Sequence, residues 1–566
     1  MTSETQPIPA AASGDRSGDR RLQQIIRSTI TVVLAFAFTR VVSLAQVFII
    51  AREFGVGPDA DAFTAANLIP ELIFNLISGG ALANAFIPVF SGYLAREDRP
   101  GAWKIASHII NTVFIATLVV SLIIALIAPW VVRTFVASGF TPDQVTLTAN
   151  LMRVLLVGTV IFSVSGILMG ILQSHQRFLL PALAPIMYDI GILAGVLFLL
   201  PTLGVYGVAL GAVAGAALHL GIQLPGLFQI RARWMPQFGW NDRDLWRVIR
   251  LMLPNVAALA LFNINFLVMT NIASRLGTGA VSSFGWGWRL MQIPQTLIGT
   301  AMATVIFPTL SALSALNDAK GKRESMSGAL RFILIGTIPS AVGLIFVGRP
   351  LISLLERGAF DASASALVYS ALQFFALGII VHSALEIVAS SFYADKDTLT
   401  PLMVRVGGTV INVSLAYVLS GVAAADFAYT NGLLPRLGFR PLLAEVQPLS
   451  VGMLAFANSL AIAFEVAVLL VILRRRWHSI NENALARTLW KTLLASLIMA
   501  LAITLISFLW DMLGLNNGRL IYTLALIGLE VGIAALVFFG AAWALKMEEL
   551  NLIPYILRAR RKAAPA

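Results

Sequence analysis

The sequence has no cysteine and few charged residues. The absence of cysteine from its 566 residues excludes disulfides, thiolate metal sites and a cysteine nucleophile. The five histidines are scattered without the spacing of metal ligands, and the chain contains no Walker A loop, HExxH or GxSxG motif. We therefore predict that the protein is not an enzyme and needs no cofactor, which leaves an ion or the membrane potential to drive any transport.

The composition is that of a membrane protein. Charged residues make up 12% of the chain, about half their share in soluble globular proteins, whereas hydrophobic residues make up 58%. We predict an all-α polytopic membrane protein with fourteen transmembrane helices, because fourteen apolar runs reach the roughly 20 residues that cross a bilayer. These predicted spans 1 to 14 fall at residues 27–52, 66–95, 105–133, 145–173, 180–201, 204–230, 246–275, 284–315, 328–355, 364–394, 399–421, 448–473, 488–511 and 520–545.

The lysines and arginines lie mostly on one side of the predicted spans. With the N-terminus in the cytoplasm, 28 of the 40 lie on the cytoplasmic side, eight on the outer side and four within spans. Such an excess marks the cytoplasmic side of a membrane protein. We predict that both termini are cytoplasmic, and that the net charge of +12 reflects this topology rather than a nucleic-acid partner.

The chain repeats itself at one constant offset. Pro88 matches Pro308 in the segments AFIPVFSGYLARED and VIFPTLSALSALND, and the same offset holds in two later segments, where Phe140 matches Phe360 and Pro181 matches Pro401. Pro70 and Pro294 extend the match with a small insertion. An even shift of six spans keeps helix direction, so we predict two six-helix parallel repeats with a site where they meet. The prolines at 70, 88, 294 and 308 are predicted hinges, because proline frees a carbonyl and kinks a helix.

Five regions follow from these patterns. The segment 1–22 is polar and rich in Ser, Gly and Pro, which predicts a disordered cytoplasmic tail. The two repeats form an N-lobe and a C-lobe, and spans 13 and 14 lie outside them. The predicted boundaries are 1–22 for the first tail, 23–232 for the N-lobe, 233–480 for the C-lobe, 481–546 for spans 13 and 14, and 547–566 for a basic cytoplasmic tail.

Ionisable side chains within the spans are candidate site residues, because lipid disfavours them strongly. Burying Arg40 in lipid costs about 2.5–3.5 kcal/mol, so we predict that it faces a water-filled cavity or is held by carbonyls and polar neighbours. Arg289 lies between Trp286 and Trp288, which fits either a cavity residue or an interfacial arginine stacked on tryptophan.

Other polar residues in the spans divide into pairs and contacts between helices. His382 and Glu386 lie four residues apart on one face of span 10, and we predict that they pair with each other rather than relay protons. Most uncharged polar residues are expected to form hydrogen bonds between helices. Gln46 and Asn75 are cavity candidates instead, because they lie near Arg40 in the chain or on the adjoining span.

Several blocks of sequence resemble one family of membrane transporters. The chain resembles the MurJ or MviN family of bacterial lipid II flippases, within the multidrug/oligosaccharidyl-lipid/polysaccharide exporter superfamily, in FTRVVSLAQVFIIAREFGVGPDADAF, GGALANAFIPVFS, WRLMQIPQTLIGTAMATVIFPTLS, LLERGAFDASAS and SSFYADKDTLTP. The resemblance implies alternating access, a central cavity for a sugar-pyrophosphate head, and a groove along spans 13 and 14 for the undecaprenyl tail. It also implies the bacterial cytoplasmic membrane as the location, with lipid II and other cell-wall synthesis proteins as partners.

The resemblance also assigns site residues. Arg40 and Arg289 match arginines of the family in spans 1 and 8. Arg52 matches an arginine at the outer end of span 1, and Asp61 matches the aspartate of a DAF turn. Together with the two amides named above, the predicted substrate-binding set is Arg40, Arg289, Gln46, Asn75, Arg52 and Asp61.

Some positions depart from the family. Gln46 and Val47 replace an arginine and an aspartate, Phe74 and Asn75 replace two arginines, and Trp288 stands at a usually acidic place. A diphosphate in a low-dielectric cavity favours arginine ligands, so these departures fit either a retuned site or a different head group.

The expected function is therefore a flippase that moves a polyprenyl-diphosphate-linked peptidoglycan precursor from the cytoplasmic to the outer leaflet. Two alternatives stay open. One is export of another lipid-linked oligosaccharide or an amphipathic compound, and the other is a non-transporting membrane scaffold of envelope synthesis.

Overall fold

Helices make up the regular structure of the described part of the chain. The computed structural model describes residues 46, 49–77, 80–356, 358–423, 447–515, 520–547 and 549, and no strand is present within these ranges. We label the principal helices α1 (Pro58–Ile77), α2 (Gly80–Ala95), α3 (Arg99–Val131), α4 (Pro142–Ser174), α5 (Leu179–Ala194), α6 (Val205–Gly221), α7 (Arg243–Ser274), α8 (Ala280–Gln295), α9 (Ala301–Ala315), α10 (Ala319–Ser353), α11 (Ala362–Ala394), α12 (Leu399–Leu419), α13 (Gln447–Trp477), α14 (Glu482–Met512) and α15 (Leu520–Ala544). Short helices lie at Leu200–Leu203 and Leu224–Gln229, and π-helical turns at Val132–Val136, Gly195–Leu199 and Thr296–Thr300.

Most of these helices are long and apolar enough to cross a membrane. Eleven candidate spans are found within the described ranges, and they coincide with predicted spans 3 to 6 and 8 to 14. Predicted span 1 lies almost entirely outside the described residues. Span 2 is divided between α1 and α2, and span 7 corresponds to α7, which begins with charged residues. The all-helical membrane fold is thus confirmed, while the count of fourteen is not.

The internal repeat is confirmed by helix boundaries. Helix α4, at Pro142–Ser174, and α11, at Ala362–Ala394, have 33 residues each, and both their first and their last residues keep the offset that separates Pro88 from Pro308. The starts of α3 and α10 and of α5 and α12 keep the same offset. The equal length of α4 and α11 and the constant offset between the other helix starts therefore support a duplicated backbone plan, as the proline matches predicted.

The turns between helices repeat as well. Gln176 and Lys396 stand at equivalent positions of the two repeats, and both have positive φ, at 59° in each case. Asp98 Oδ1 accepts a hydrogen bond from the Gly101 N–H at 2.9 Å at the start of α3, and Asp318 Oδ1 accepts one from the Gly321 N–H at 2.8 Å at the start of α10. Both aspartates satisfy otherwise unpaired amides at a helix start.

The four predicted hinge prolines lie inside helices. Pro70 is in α1, Pro88 in α2, Pro294 in α8 and Pro308 in α9. The π-helical turn Thr296–Thr300 follows α8 directly, so the hydrogen-bond ladder changes register close to Pro294. Their role as hinges stays a prediction.

The chain divides into two compact units. The first unit contains Ile69–Leu126 and Arg153–Ala257, with Met1–Ile50 assigned to it, and the second contains Ala51–Leu68, Ile127–Met152 and Ala258–Ala566. The predicted lobe boundaries and the groove along spans 13 and 14 stay predictions. The tail at 1–22, and nearly all of that at 547–566, lie outside the described residues.

Each unit has its own apolar core. Phe86, Phe90 and Trp103 belong to the core of the first unit, and Phe392 and Trp477 to a core of the second. Many other apolar side chains are exposed on the long helices, with Leu126, Phe198, Leu536 and Trp543 among the most exposed. Helices that are apolar on their outer surface as well as inside suit a lipid environment.

Candidate functional site

The first predicted site residues lie at the end of span 1 and in α1. Arg40 lies outside the described residues. Gln46 is helical and buried. Asn75 is half-buried in α1 and has an interacting partner, while the neighbouring Phe74 packs against Phe162 with ring centroids 5.1 Å apart. An aromatic contact therefore occupies one of the positions where the family resemblance implied arginine.

Asp61 is fully buried at the first turn of α1 and satisfied by the start of α8. Its Oδ2 accepts a hydrogen bond from the Gly279 N–H at 2.6 Å, and its Oδ1 accepts from the Ser282 N–H at 2.7 Å and the Ser282 hydroxyl at 2.6 Å. The first amides of a helix have no acceptor within the helix and favour an anion. Asp61, a residue of the first repeat, is thus hydrogen-bonded to the start of a helix of the second repeat.

Arg52 takes part in this junction through its backbone. The Ala359 N–H donates to the Arg52 carbonyl at 2.8 Å. The approach depends on glycine, because a Cβ at Gly55 would lie 2.2 Å from the Ala359 oxygen and one at Gly358 would lie 2.3 Å from the Arg52 oxygen. Both glycines also have positive φ. The Arg52 side chain is exposed, and its Nε lies 3.3 Å from Glu53 Oε1. An ion pair at such an exposed place adds little stability.

A second set of hydrogen bonds links the same two parts of the chain. The Ser138 hydroxyl donates to Asn271 Oδ1 at 2.9 Å, and the Gly139 N–H donates to the Ser274 hydroxyl at 3.0 Å. With those of Asp61 and Arg52, these contacts form what we call the seam. It consists of Arg52, Asp61, Ser138 and Gly139 on one side and Asn271, Ser274, Gly279, Ser282 and Ala359 on the other, all within the second unit.

Arg289 is exposed near the middle of α8. Its guanidinium carbon lies 5.9 Å from the ring centroid of Trp286, which is buried. This is the stacked arrangement that the flanking tryptophans suggested as one alternative. A stacked and exposed guanidinium can still donate to an anion, so its role in substrate binding stays a prediction.

A small cavity inside the second unit contains charges that the sequence analysis did not single out. Its volume is about 50 Å³. Glu465 is buried with Oε2 3.8 Å from Nε of Arg405, and His382 Nε2 lies 3.1 Å from Asn458 Oδ1. The lining residues are Asn265, Phe266, Met269, Phe284, Trp288, Phe375, His382, Leu385, Arg405, Thr409, Asn458, Ile462 and Glu465.

The predicted pairing of His382 with Glu386 is wrong. His382 turns to Asn458 on α13 and to the edge of Trp288, whereas Glu386 Oε1 accepts from Gln295 Nε2 at 2.7 Å and from the Thr300 hydroxyl at 3.1 Å. Helical spacing brings two side chains to one face, but neighbouring helices supplied each with its own partner. Hydrogen bonds between helices are the usual arrangement inside a membrane.

The sequence did carry a signal for the missed acids. Glu465 is the one charged residue in the apolar run 448–473, and Glu530 is the one charged residue in 520–545 before the final basic segment. Glu530 is fully buried, and the Ser507 hydroxyl donates to its Oε1 at 2.6 Å. A lone acid in an apolar span is costly unless it has partners, and both of these acids have them.

No group of three or more metal-ligating side chains occurs among the residues that the structure describes. The polar groups of the seam and of the cavity are mainly amides, hydroxyls, carboxylates and arginines. Such groups can bind an anionic head group, or they can form hydrogen bonds across a junction between helices that opens and closes.

Comparison with known proteins gives one consistent result. The family model described as "Lipid II flippase MurJ" matches residues 50–523. A lipid II flippase MurJ of Burkholderia cenocepacia is 31% identical over 435 residues, which cover 74% of this chain and 84% of that relative. A probable lipid II flippase MurJ of Rhizobium tropici is 27% identical over 563 residues, or 96% of this chain and 98% of that relative.

Solved structures share the fold. The structure of lipid II flippase MurJ in an inward closed conformation aligns with a TM-score of 0.72 and 23% identity, covering 93% of this chain and all of that one. An inward-facing multidrug resistance transporter of the MATE family, in the MOP superfamily, aligns with a TM-score of 0.62 and 15% identity, covering 80% of this chain and 99% of that one. At these identities, the likeness establishes the helical architecture.

Proposed function

Because the chain belongs to the lipid II flippase MurJ family, we propose that it moves lipid II, a polyprenyl-diphosphate-linked peptidoglycan precursor, from the cytoplasmic to the outer leaflet. The match of the family model across residues 50–523 carries this proposal. The reaction makes and breaks no covalent bond, so the protein acts as a transporter rather than as an enzyme. Its place is the bacterial cytoplasmic membrane, with both termini in the cytoplasm.

The seam supports alternating access. It joins residues 52–61 to the start of α8 and the turn before α11, and residues 138–139 to the end of α7. These segments all lie on the predicted outer side. A closed outer junction corresponds to a state in which lipid II enters from the cytoplasm, and its opening releases the head group outside. Pro70, Pro88, Pro294 and Pro308 are the proposed hinges.

The substrate-binding residues divide into two groups. Arg40 and Arg289 bind the diphosphate, with Gln46 and Asn75 as amide donors, because guanidinium groups form bidentate hydrogen bonds to phosphate. Asp61 already accepts three hydrogen bonds, and the Arg52 carbonyl accepts one, so we assign these two residues to opening and closing the seam.

A different lipid-linked glycan is the second candidate cargo, and one observation favours it. Phe74 packs on Phe162, and Trp288 packs on Phe375 with ring centroids 5.4 Å apart, at places where the family resemblance implied charged residues. Aromatic rings at these positions suit a head group that presents more sugar surface. Coupling to an ion or to the membrane potential, and binding to other cell-wall synthesis proteins, belong to the proposal for either cargo.

Complementation tests the cargo. Bacteria depleted of their own lipid II flippase would express the wild-type chain, the Arg40→Ala/Arg289→Ala variant or a control, Arg96→Ala/Arg99→Ala, which removes two exposed arginines at the ends of α2 and α3. We expect growth with the wild type and the control, and none with the first variant. The amount of lipid II accessible at the cell surface should be higher in the strains that grow than in the strain that does not. Failure of the membrane-inserted wild type to support growth would overturn lipid II as cargo. Growth with the Arg40→Ala/Arg289→Ala variant would exclude these two arginines from substrate binding.

A further inference from the structure

A pocket lined by arginine and tryptophan lies in the segment that connects the two repeats along the chain, on the predicted cytoplasmic side. It has a volume of about 390 Å³ and belongs to the first unit. Arg243, Arg247 and Arg250 follow spacings of four and three residues, so they share one face at the start of α7. The lining residues are Trp240, Asn241, Arg243, Trp246, Arg247, Arg250 and Leu251.

The acids nearest in sequence to these arginines are engaged elsewhere. Asp242 Oδ2 lies 3.0 Å from His108 Nδ1, and its Oδ1 accepts from the Asp244 N–H at 2.9 Å. Asp244 Oδ2 accepts from the Tyr93 hydroxyl at 2.5 Å. Both carboxylates therefore bind α2 and α3 of the same unit. Within the described residues, no salt bridge is found for Arg243, Arg247 or Arg250, and all three are exposed.

The loop that carries the pocket is held firmly. Asn111 Nδ2 donates to the carbonyls of Met235 and Gln237, at 2.8 Å each, and its Oδ1 accepts from Trp234 Nε1 at 2.8 Å. A Cβ at Gly239 would lie 2.2 Å from His108 Nδ1, so the loop lies directly against α3. The pocket is consequently prepared before a ligand arrives, which lowers the entropic cost of binding.

The two tryptophans of the pocket are oriented by a hydrogen bond and remain accessible. Trp246 Nε1 donates to the Trp240 carbonyl at 2.9 Å. The two side chains are 50% and 58% exposed, and Leu251 beside them is 50% exposed. Tryptophan concentrates at the level of lipid head groups, with its ring in the apolar region and its polar edge towards water. Arginine is the side chain best suited to phosphate at such a surface.

We propose that this pocket binds the phosphodiester head group of an anionic phospholipid in the cytoplasmic leaflet. The arginines supply charge and bidentate donors to the phosphate, and the tryptophans contact the glycerol and the first part of the acyl chains. Charge complementarity identifies the occupant, because each basic group near an anionic leaflet strengthens attachment. The site does not depend on which cargo is transported, and it fixes the connection between the repeats at the membrane surface.

Lipid binding in neutral detergent tests this proposal. Purified full-length chain would be mixed with phosphatidylglycerol or phosphatidylcholine, and bound lipid counted by native mass spectrometry. We expect preferential binding of phosphatidylglycerol by the wild type and a loss of at least about tenfold in affinity in Arg243→Gln/Arg247→Gln/Arg250→Gln, since each lost cation weakens attraction to the lipid phosphate. Thermal unfolding of both proteins confirms that the variant is folded; if it is not, Arg247→Gln/Arg250→Gln takes its place.

A matched control removes the same charge elsewhere. Arg96→Gln/Lys396→Gln/Arg475→Gln changes three exposed basic residues on the predicted cytoplasmic side that do not line the pocket and, within the described residues, form no salt bridge. This variant should bind phosphatidylglycerol like the wild type. Equal losses in the two triple variants would mean general charge attraction and would overturn the site. Displacement by inorganic phosphate alone would identify a plain anion site, and tighter binding of a polyprenyl diphosphate would identify the cargo as occupant; either result would overturn the phospholipid assignment.

Discussion

The two repeats use the same helical plan but satisfy their buried polar groups differently. In the first unit, Ser165, His219 and Gln223 form a buried network, with Ser165 Oγ 2.6 Å from His219 Nδ1 and 2.7 Å from Gln223 Nε2. In the second unit, Arg405 faces the buried acid Glu465 at 3.8 Å. The first arrangement uses hydroxyl, imidazole and amide groups, whereas the second depends on full charges. The same backbone arrangement is thus compatible with different kinds of buried polar contact.

The turn between α4 and α5 and the turn between α11 and α12, which we call the inner turns, show the same contrast at equivalent positions. In the first unit, His175 stacks on Trp103 with an interplanar angle of 18°. In the second, the equivalent residue is Asp395, which accepts a hydrogen bond from Lys322 Nζ at 2.7 Å and another from the Ser314 hydroxyl. The turn itself is unchanged. The two repeats therefore share the backbone path of this turn but differ in its side-chain contacts, which are aromatic packing in the first and an ion pair with a lysine in the second.

Removing one charge from the second unit should have the largest effect. Glu465→Gln leaves Arg405 without its acid, and breaking a buried pair costs about 3–5 kcal/mol. Because the Arg405 side chain is 35% exposed, we expect about 2 kcal/mol, measured as a lower unfolding midpoint in detergent.

Two further variants sharpen this result. The Arg405→Gln/Glu465→Gln variant should recover most of the loss, since no charge is left unpaired. In the first unit, Arg153 donates to the Ala125 carbonyl at 2.9 Å, and Arg153→Gln should cost about 1 kcal/mol. A double variant as unstable as Glu465→Gln would show that the pair is not the source of the difference.

The inner turns should differ by a smaller amount. Asp395→Asn removes the charge partner of Lys322, whose side chain is only 10% exposed, and should cost about 1.5 kcal/mol. His175→Asn removes an aromatic contact and should cost about 1 kcal/mol or less. Thermal unfolding of both variants under one set of conditions checks the order. Equal losses, or a larger loss for His175→Asn, would contradict the contrast between the turns.

The smallest effect concerns pH. Partial burial raises the pKa of Asp397, but hydrogen bonds from Thr400 and Arg476 outweigh it and hold the pKa below the ordinary 3.8. A lowered pKa in the folded state means that the ionised group stabilises the protein above pH 3.8, and that this contribution is lost as pH falls through the lowered value. The stability advantage of the wild type over Asp397→Asn should therefore shrink as pH falls below 3.8.

The equivalent position of the first unit supplies the control. Arg177 Nη1 donates to Gln229 Oε1 at 3.2 Å, a contact without a carboxylate. The stability difference between the wild type and Arg177→Gln should stay constant over the same acidic range. A parallel decline in both comparisons would point to general acid unfolding rather than to Asp397.

Helices could be predicted from the sequence because each depends on a local run of apolar residues. The offset between the repeats was equally visible, since prolines and turn residues recur along the chain itself, and α4 and α11 keep it at both ends. Contacts between distant spans were less accessible. Arg405 and Glu465 belong to different helices, and nothing in either local sequence indicates the other.

The roles of the predicted site residues stay predictions, but the structure shows contacts that the sequence could not indicate. The family resemblance identified Asp61, but not its donors at Gly279 and Ser282, because these lie far along the chain, in the second repeat. His382 and Glu386 illustrate the opposite error, in which a local spacing rule was outweighed by partners on other helices. Local pattern predicted the elements, whereas competition among helices determined the polar contacts.

The seam has a consequence for the energy of a transport cycle. Every donor to Asp61 is an uncharged amide or hydroxyl, and the contacts between the other seam residues join uncharged groups. One charged donor adjoins them, because Arg275 Nε donates to the Ser138 hydroxyl at 3.0 Å. Separating its two sides therefore breaks no ion pair between the seam residues themselves. Water replaces each bond between uncharged groups at a net cost of about 1 kcal/mol, and each bond to the Asp61 carboxylate at about 1.5–3 kcal/mol. A junction of this kind opens by exchanging hydrogen bonds for water, so its strength should depend only weakly on ionic strength.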